Sequence, residues 1–199
     1  MAGTSRSDLV WNRLEQINPE ITAWLKVEGT GIDLPVAHPG RDKPRDWYLR
    51  HDAWGDFSEL GCAYLDARCS ESNRHLLVFG HRVDYGNLMF SDLAEAHRQD
   101  EFNRLGAASW RSTTKDLSFA PLLALKVDKA DEGIQRFDFD SKEAFRKWAE
   151  GLVDRASART AGATEMAEKA TRVLTLVTCS SRRRGGRERT VVVFATATD

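Results

Sequence analysis

The sequence predicts a mostly β fold, a largely antiparallel barrel decorated by a few helices. Three observations carry that prediction. Apolar runs of strand length recur along the chain, and the closing ones are rich in Val and Thr. Helical spacing is confined to three stretches. Strands and helices do not alternate regularly, which disfavours a doubly wound α/β sheet and favours a barrel.

The elements follow in order. Residues 7–17 read as a helix, because Val10, Leu14 and Ile17 recur at +4 and +3 and Pro19 lies past the end. Residues 21–27 and 32–36 read as strands around the turn Glu28-Gly29-Thr30-Gly31. Residues 62–66 and 76–80 are apolar runs of strand length. Leu88, Phe90, Leu93 and Phe102 have the spacing of two short helices within 88–105. Residues 117–127 form a long strand entered near Pro121. Residues 141–156 are the strongest helix. Ser141 can cap it, Asp140 complements its dipole, and Phe145, Trp148, Leu152 and Val153 share one face. Residues 172–178 and 190–197 close the chain as strands.

The 199 residues fit one domain, large enough to bury a core without disulfide or metal staples. Residues 1–6 read as a leader and 7–199 as the domain. With 41% hydrophobic and 30% charged residues, the chain is not of disordered composition. No apolar run approaches the roughly 20 residues of a membrane span, and no signal-peptide core is present. A net charge of −1 excludes a globally basic nucleic-acid binder and a strongly acidic tail protein.

The 3 cysteines cannot all pair within the chain. Cys62 and Cys69 lack zinc-knuckle spacing. Cys62 reads as a small buried hydrophobe. Cys69 lies in the polar stretch 67–73 and is expected in an exposed loop. A Cys62–Cys69 disulfide stays open. Cys179 differs, because it ends the apolar run Val173-Leu174-Thr175-Leu176-Val177-Thr178 just before a polar loop. Arg182, Arg183, Arg184, Arg187 and Arg189 follow it, and clustered positive charge favours a nearby thiolate. Position alone leaves a structural cysteine and a nucleophile equally open.

His81 is placed similarly, after Leu76-Leu77-Val78-Phe79 and a Gly80 that permits a turn or a close approach. A thiol nucleophile needs a proton-transfer partner, and histidine is the usual one. His38, His51, His75 and His97 sit in polar, loop-like or helical surroundings and are weaker candidates. Arg189 immediately precedes Thr190-Val191-Val192-Val193-Phe194, a strand expected to return beside the Cys179 strand. A fixed cation there can stabilise an oxyanion. The tract 182–187 lacks the interleaved aromatics of a nucleic-acid site.

These residues in their settings resemble the sortase family. Thr175-Leu176-Val177-Thr178-Cys179 resembles its nucleophile segment, Phe79-Gly80-His81 its histidine segment, and Arg189 before a Val-rich strand its arginine. Class B is the most similar. Tyr85-Gly86-Asn87-Leu88-Met89-Phe90-Ser91-Asp92-Leu93, Asn18-Pro19-Glu20-Ile21-Thr22-Ala23-Trp24-Leu25, Gly29-Thr30-Gly31-Ile32-Asp33-Leu34-Pro35-Val36 and Trp47-Tyr48-Leu49 match it, as does the helix at 141–156.

The resemblance implies an eight-stranded, partly open barrel with an N-terminal helix and a long helix before the last two strands. It implies a cysteine transpeptidase that needs no cofactor or metal. Cys179 would be the nucleophile, His81 the acid and base, and Arg189 the oxyanion holder. Val177, Thr178, Ser180, Ser181 and Arg187 are substrate-binding candidates. A register slip of two would exchange Arg187 for Arg189. Val177 and Ser181 stand where some class B members carry serine and aspartate.

The implied substrates are surface proteins with a C-terminal NPxTx-like or LPxTx-like sorting signal. The implied acceptor is a cell-wall precursor or protein amine. The implied place is the outer face of a Gram-positive membrane, held by an N-terminal anchor that this chain lacks. Two other readings compete: a non-catalytic barrel binding an anionic wall partner through its basic loop, and a cysteine peptidase.

Overall fold

In the computed structural model, which describes residues 6–83, 86–180 and 185–197, eight strands close into a barrel. They are β1 (Ile21–Val27), β2 (Asp33–Ala37), β3 (Ala63–Leu65), β4 (His75–Phe79), β5 (Ala108–Arg111), β6 (Asp116–Asp128), β8 (Arg172–Cys179) and β9 (Glu188–Thr196). A two-residue strand β7 (Ala158–Arg159) hangs on β6. The helices are α1 (Arg6–Ile17), α2 (Gln99–Phe102), α3 (Lys142–Asp154) and α4 (Ala163–Lys169). Around the barrel the order is β5-β1-β2-β3-β4-β8-β9-β6, and β6 returns to β5.

One long strand closes the ring. The first part of β6 pairs with β5, from Asp116 to Phe119, and the rest pairs with β9. The register shifts between Pro121 and Leu123. Proline has no N–H for a ladder, so an irregularity is where a strand interior tolerates it. Most neighbours are antiparallel, but β2–β3 and β4–β8 are parallel. β3 is the thin part of the wall, joined through Val36–Ala63 and Ala37–Tyr64 on one side and Tyr64–Phe79 and Leu65–Val78 on the other.

Leu25, Trp110, Phe119, Leu174, Leu176 and Phe194 are among the fully buried side chains of the core. β8 is buried on both faces up to its last residue, which explains its unbroken apolar run. α3 turns Phe145, Ala149, Leu152 and Val153 into the same core. Ser141 caps it as its sequence predicts, accepting from Ala144 N at 3.0 Å.

Four features depart from the sequence reading. β5 is only four residues long, Ala-Ser-Trp-Arg, and its run is too short to register as a strand. α4 is polar along most of its length. Cys69 is buried rather than exposed. The chain turns back at Asp66, and the thiol donates to the His75 carbonyl at 3.7 Å. His75 is also fully buried, because β4 begins there and the 134–148 region roofs it. Cys62, Cys69 and Cys179 are all free thiols. Among the described residues no helix is long and apolar enough to cross a membrane.

Candidate active site at the mouth of the barrel

The parallel pairing of β4 with β8 sets the geometry. Phe79 lies opposite Val177, and the ladder runs one step further, Gly80 N donating to the Val177 carbonyl at 3.1 Å. His81 and Cys179 each lie two residues beyond that pair. The two chains therefore leave the sheet side by side, at a spacing of about 5 Å between neighbouring strands. On its other side Cys179 is the direct register partner of Arg189. The cysteine thus stands between the histidine segment and the arginine.

Alternation along the strands puts Cys179 on the face of Val177 and Thr175, and Arg189 on the face of Val191. Tyr64 and Phe79 share that face and stack at 5.3 Å. Burial pushes the Tyr64 hydroxyl above its ordinary range and Asp46 and Asp66 add to this, while the charge of Arg189 pulls it down. The guanidinium is therefore felt across the Cys179 face. Cys179, His81 and Arg189 are all half-buried.

Gly80 answers to a close approach. A Cβ there would lie 2.5 Å from Phe90 Cγ, and Phe90 is fully buried. The chain returns from His81 through a bridge between Arg82 and Met89, and Phe90 N donates to the His81 carbonyl at 2.9 Å. The His81 ring is held from outside this loop, with Nε2 2.7 Å from the Leu49 carbonyl. Arg189 donates from Nη1 to the carbonyls of Gly186 and Glu188 at 2.8 and 3.0 Å. Five guanidinium N–H donors leave Nε and Nη2 for a ligand. Thr190, next along β9, is anchored by its hydroxyl to the Ala94 carbonyl at 2.6 Å.

The other candidates separate. Arg187 is turned to the outer end of β6, where Nε and Nη2 grip both oxygens of Asp128 at 2.8 and 2.7 Å. Val177 and Thr178 are buried, and the Thr178 side chain lies on the face opposite Cys179. Thr178 Oγ1 and Ser180 Oγ have no hydrogen-bond partner among the described residues. Ser181, Arg182, Arg183 and Arg184 lie outside the described residues. Of the weaker histidines, His51 stacks on Trp47 at 3.6 Å and His97 meets the Thr190 hydroxyl at 3.2 Å.

Arg82 is a residue the sequence does not single out. Its side chain is only 10% exposed, it lies 3.3 Å from Glu95, and it donates to the Ser180 carbonyl. It ties the chain after His81 to the chain after Cys179. In an arginine-rich chain its type carries no signal; the Leu49 carbonyl, a backbone group, carries none either. Among the described residues no group of three His, Cys, Asp or Glu side chains could hold a metal. An apolar cavity of about 280 Å³ is lined by Leu14, Trp24, Pro35, Trp54, Cys62 and Met89. Cys179, His81 and Arg189 are not among the residues that line it.

No family model matches the sequence. A curated relative, sortase B of Staphylococcus aureus (strain NCTC 8325 / PS 47), is 30% identical over 120 residues, 52% of this chain and 48% of the relative. The match thus spans about half the length of that relative. The X-ray structure of Clostridium perfringens sortase B superposes with a TM-score of 0.79 at 26% identity, over 92% of this chain and 97% of that one. A mutant form of the same sortase gives a TM-score of 0.80 at 25% identity, over 92% and 84%. A Staphylococcus aureus sortase B–substrate complex shares the fold, with a TM-score of 0.79 at 24% identity over 93% and 83%. In sequence and in fold, this chain is class B sortase-like.

Proposed function

We propose that the protein is a cysteine transpeptidase that cleaves a C-terminal sorting signal after threonine and passes the acyl group to an amine. The observation that carries this reading is the position of Cys179, directly opposite Arg189 on β9 and beside the His81 segment on the continued β4–β8 ladder. The Cys179 sulfur attacks the threonine carbonyl as its thiol proton passes to His81, and the oxyanion that forms is held by the free N–H groups of Arg189. Collapse breaks the peptide bond and leaves a thioester. His81 gives its proton to the departing amine, then takes one from the incoming amine. That amine attacks the thioester and forms the new amide, and the departing sulfur takes the proton back from His81 to restore the thiol.

The pairing of Arg187 with Asp128 supports Arg189 as the arginine of the site, since only the latter has donors to spare beside the thiol. The substrate complex known for the Staphylococcus aureus relative supports a sorting-signal peptide as substrate. By the same likeness, the acceptor is a cell-wall precursor or protein amine and the place of action is the outer surface of a Gram-positive cell.

The test uses quenched peptides carrying NPxTx-type and LPxTx-type signals, with and without an amine acceptor. Cleavage is expected to depend on Cys179, and the product is expected to shift to the amide when the amine is added. Equal cleavage by Cys179→Ala refutes the reading; a product ratio blind to the amine identifies a peptidase instead. Arg189→Ala should lower kcat/KM by about 10²-fold, the scale of a lost oxyanion donor, with Arg187→Ala near wild type.

A further inference from the structure

The atom that fixes the His81 ring is a backbone carbonyl, and the fold devotes a buried polar cluster to holding it. Leu49 O lies 2.7 Å from His81 Nε2. A carbonyl can only accept, so Nε2 carries the hydrogen and Nδ1 is the unprotonated nitrogen of the neutral ring. Nδ1 has no hydrogen bond to any described residue.

Leu49 ends a single 3-10 turn, Trp47–Leu49, whose central residue Tyr48 is fully buried. The Tyr48 hydroxyl accepts from Asn18 Nδ2 at 2.8 Å and donates to the Glu20 carboxylate. Glu20 also receives Lys43 Nζ at 2.8 Å and Gly40 N at 3.0 Å. Burial disfavours the Glu20 charge, but the hydrogen bonds from Lys43, Tyr48 and Gly40 outweigh it, so the carboxyl titrates below its ordinary range and stays an acceptor. From the other side, Cys62 N donates to the Tyr48 carbonyl at 2.9 Å. Gly61 passes so close that a Cβ would lie 2.4 Å from Tyr48 O and 2.9 Å from Leu49 O, at a φ of +61°. The turn is thus clamped at its hydroxyl end and at its carbonyl end.

We propose that Tyr48, held by Glu20 and Asn18, is a positioning residue that sets the Leu49 carbonyl and thereby keeps His81 in its Nε2–H tautomer, with Nδ1 the nitrogen that exchanges protons at the Cys179 site. The role of Nδ1 rests on the transpeptidase reading; the tautomer does not. A side chain of either tautomer would pack equally well, so a merely structural Tyr48 would leave the tautomer unchanged.

The test is long-range ¹⁵N NMR of the His81 ring in the resting protein, set beside steady-state kinetics for wild type, Tyr48→Phe and Glu20→Gln. The wild type is expected to show one neutral tautomer, protonated at Nε2. Both variants should show mixed tautomers, and kcat about 10- to 100-fold lower at unchanged KM, the scale of small misplacement of a reacting group. A wild-type ring protonated at Nδ1 overturns the proposal. So do folded variants that keep the wild-type tautomer. If neither variant folds, the wild-type spectrum decides. A ring protonated at Nε2 in a protein that transfers nothing would refute the transpeptidase and leave the tautomer assignment standing.

Discussion

Acid should weaken this fold through one residue, His75. The ring is fully buried. Nδ1 donates to the Arg136 carbonyl and Nε2 accepts from Thr175 Oγ1, both at 2.8 Å. Phe137 and Trp148 pack against it at 5.5 and 4.6 Å between centroids. Both nitrogens are satisfied in the neutral form, and a second proton would be carried without solvent. Burial pushes the pKa down from 6.5 to about 4, against the opposing pull of the Arg136 carbonyl and the Asp66 charge.

In the unfolded chain the ring protonates as the pH falls through 6.5; in the fold it stays neutral until about 4. The unfolded state binds more protons in that window, so stability falls with falling pH across it and the loss is complete below it. At about 1.4 kcal/mol for each pH unit, the loss between pH 7 and pH 4 is about 3 kcal/mol. Urea unfolding at pH 7, 6, 5 and 4 measures it, with His75→Gln as the non-titrating comparison. The variant is expected to be less stable at pH 7 by about 2 kcal/mol, for lost ring packing and hydrogen bonding, but to lose less on acidification by the amount above. Other carboxylates cancel in the difference between the two proteins. Parallel curves for wild type and variant would refute the reasoning.

Native thiol titration should find Cys179 fast and Cys62 and Cys69 slow. Burial pushes both of the latter up to about 12, which lowers their thiolate fraction about 10³-fold; a second fast thiol in the folded protein contradicts the burial. Gly80→Ala, meeting the Phe90 ring, is expected to cost about 1–3 kcal/mol as an overpacked site and to lower the transfer rate by displacing His81, read by thermal melting and kcat. Ser141→Ala should lose about 1 kcal/mol with the cap of α3 and leave the transfer rate unchanged.

The parts of the fold that sequence makes legible are those whose pattern is local. α1 shows through Val10, Leu14 and Ile17, and β8 and β9 show because strands buried on both faces are apolar without interruption. β5 is invisible by the same logic. Four residues carry no period, and its strand character comes only from pairing with β1 and β6. His75 and Cys69 sit beside polar residues in the chain; the burial of His75 is decided by Phe137 and Trp148, more than sixty residues away, and that of Cys69 by the turn back at Asp66. At the proposed site, Cys179, His81 and Arg189 stand out in the sequence by their places at strand ends. What orients them is not: Leu49 acts through its carbonyl, and the Arg187–Asp128 pair joins the ends of two strands that are neighbours in the sheet but 59 residues apart in the chain.

The parallel β4–β8 pairing also bears on how the protein comes into being. Every other described strand precedes β8 and β9 in the chain, and the intervening segment between β4 and β8 must be laid down before the two can meet. Long-range parallel pairing closes slowly and late. A ribosome will therefore have delivered almost the whole barrel before a thiol, an imidazole and a guanidinium can share one surface. No shorter folding intermediate contains the three together, so the chemistry arrives with the completed wall or not at all.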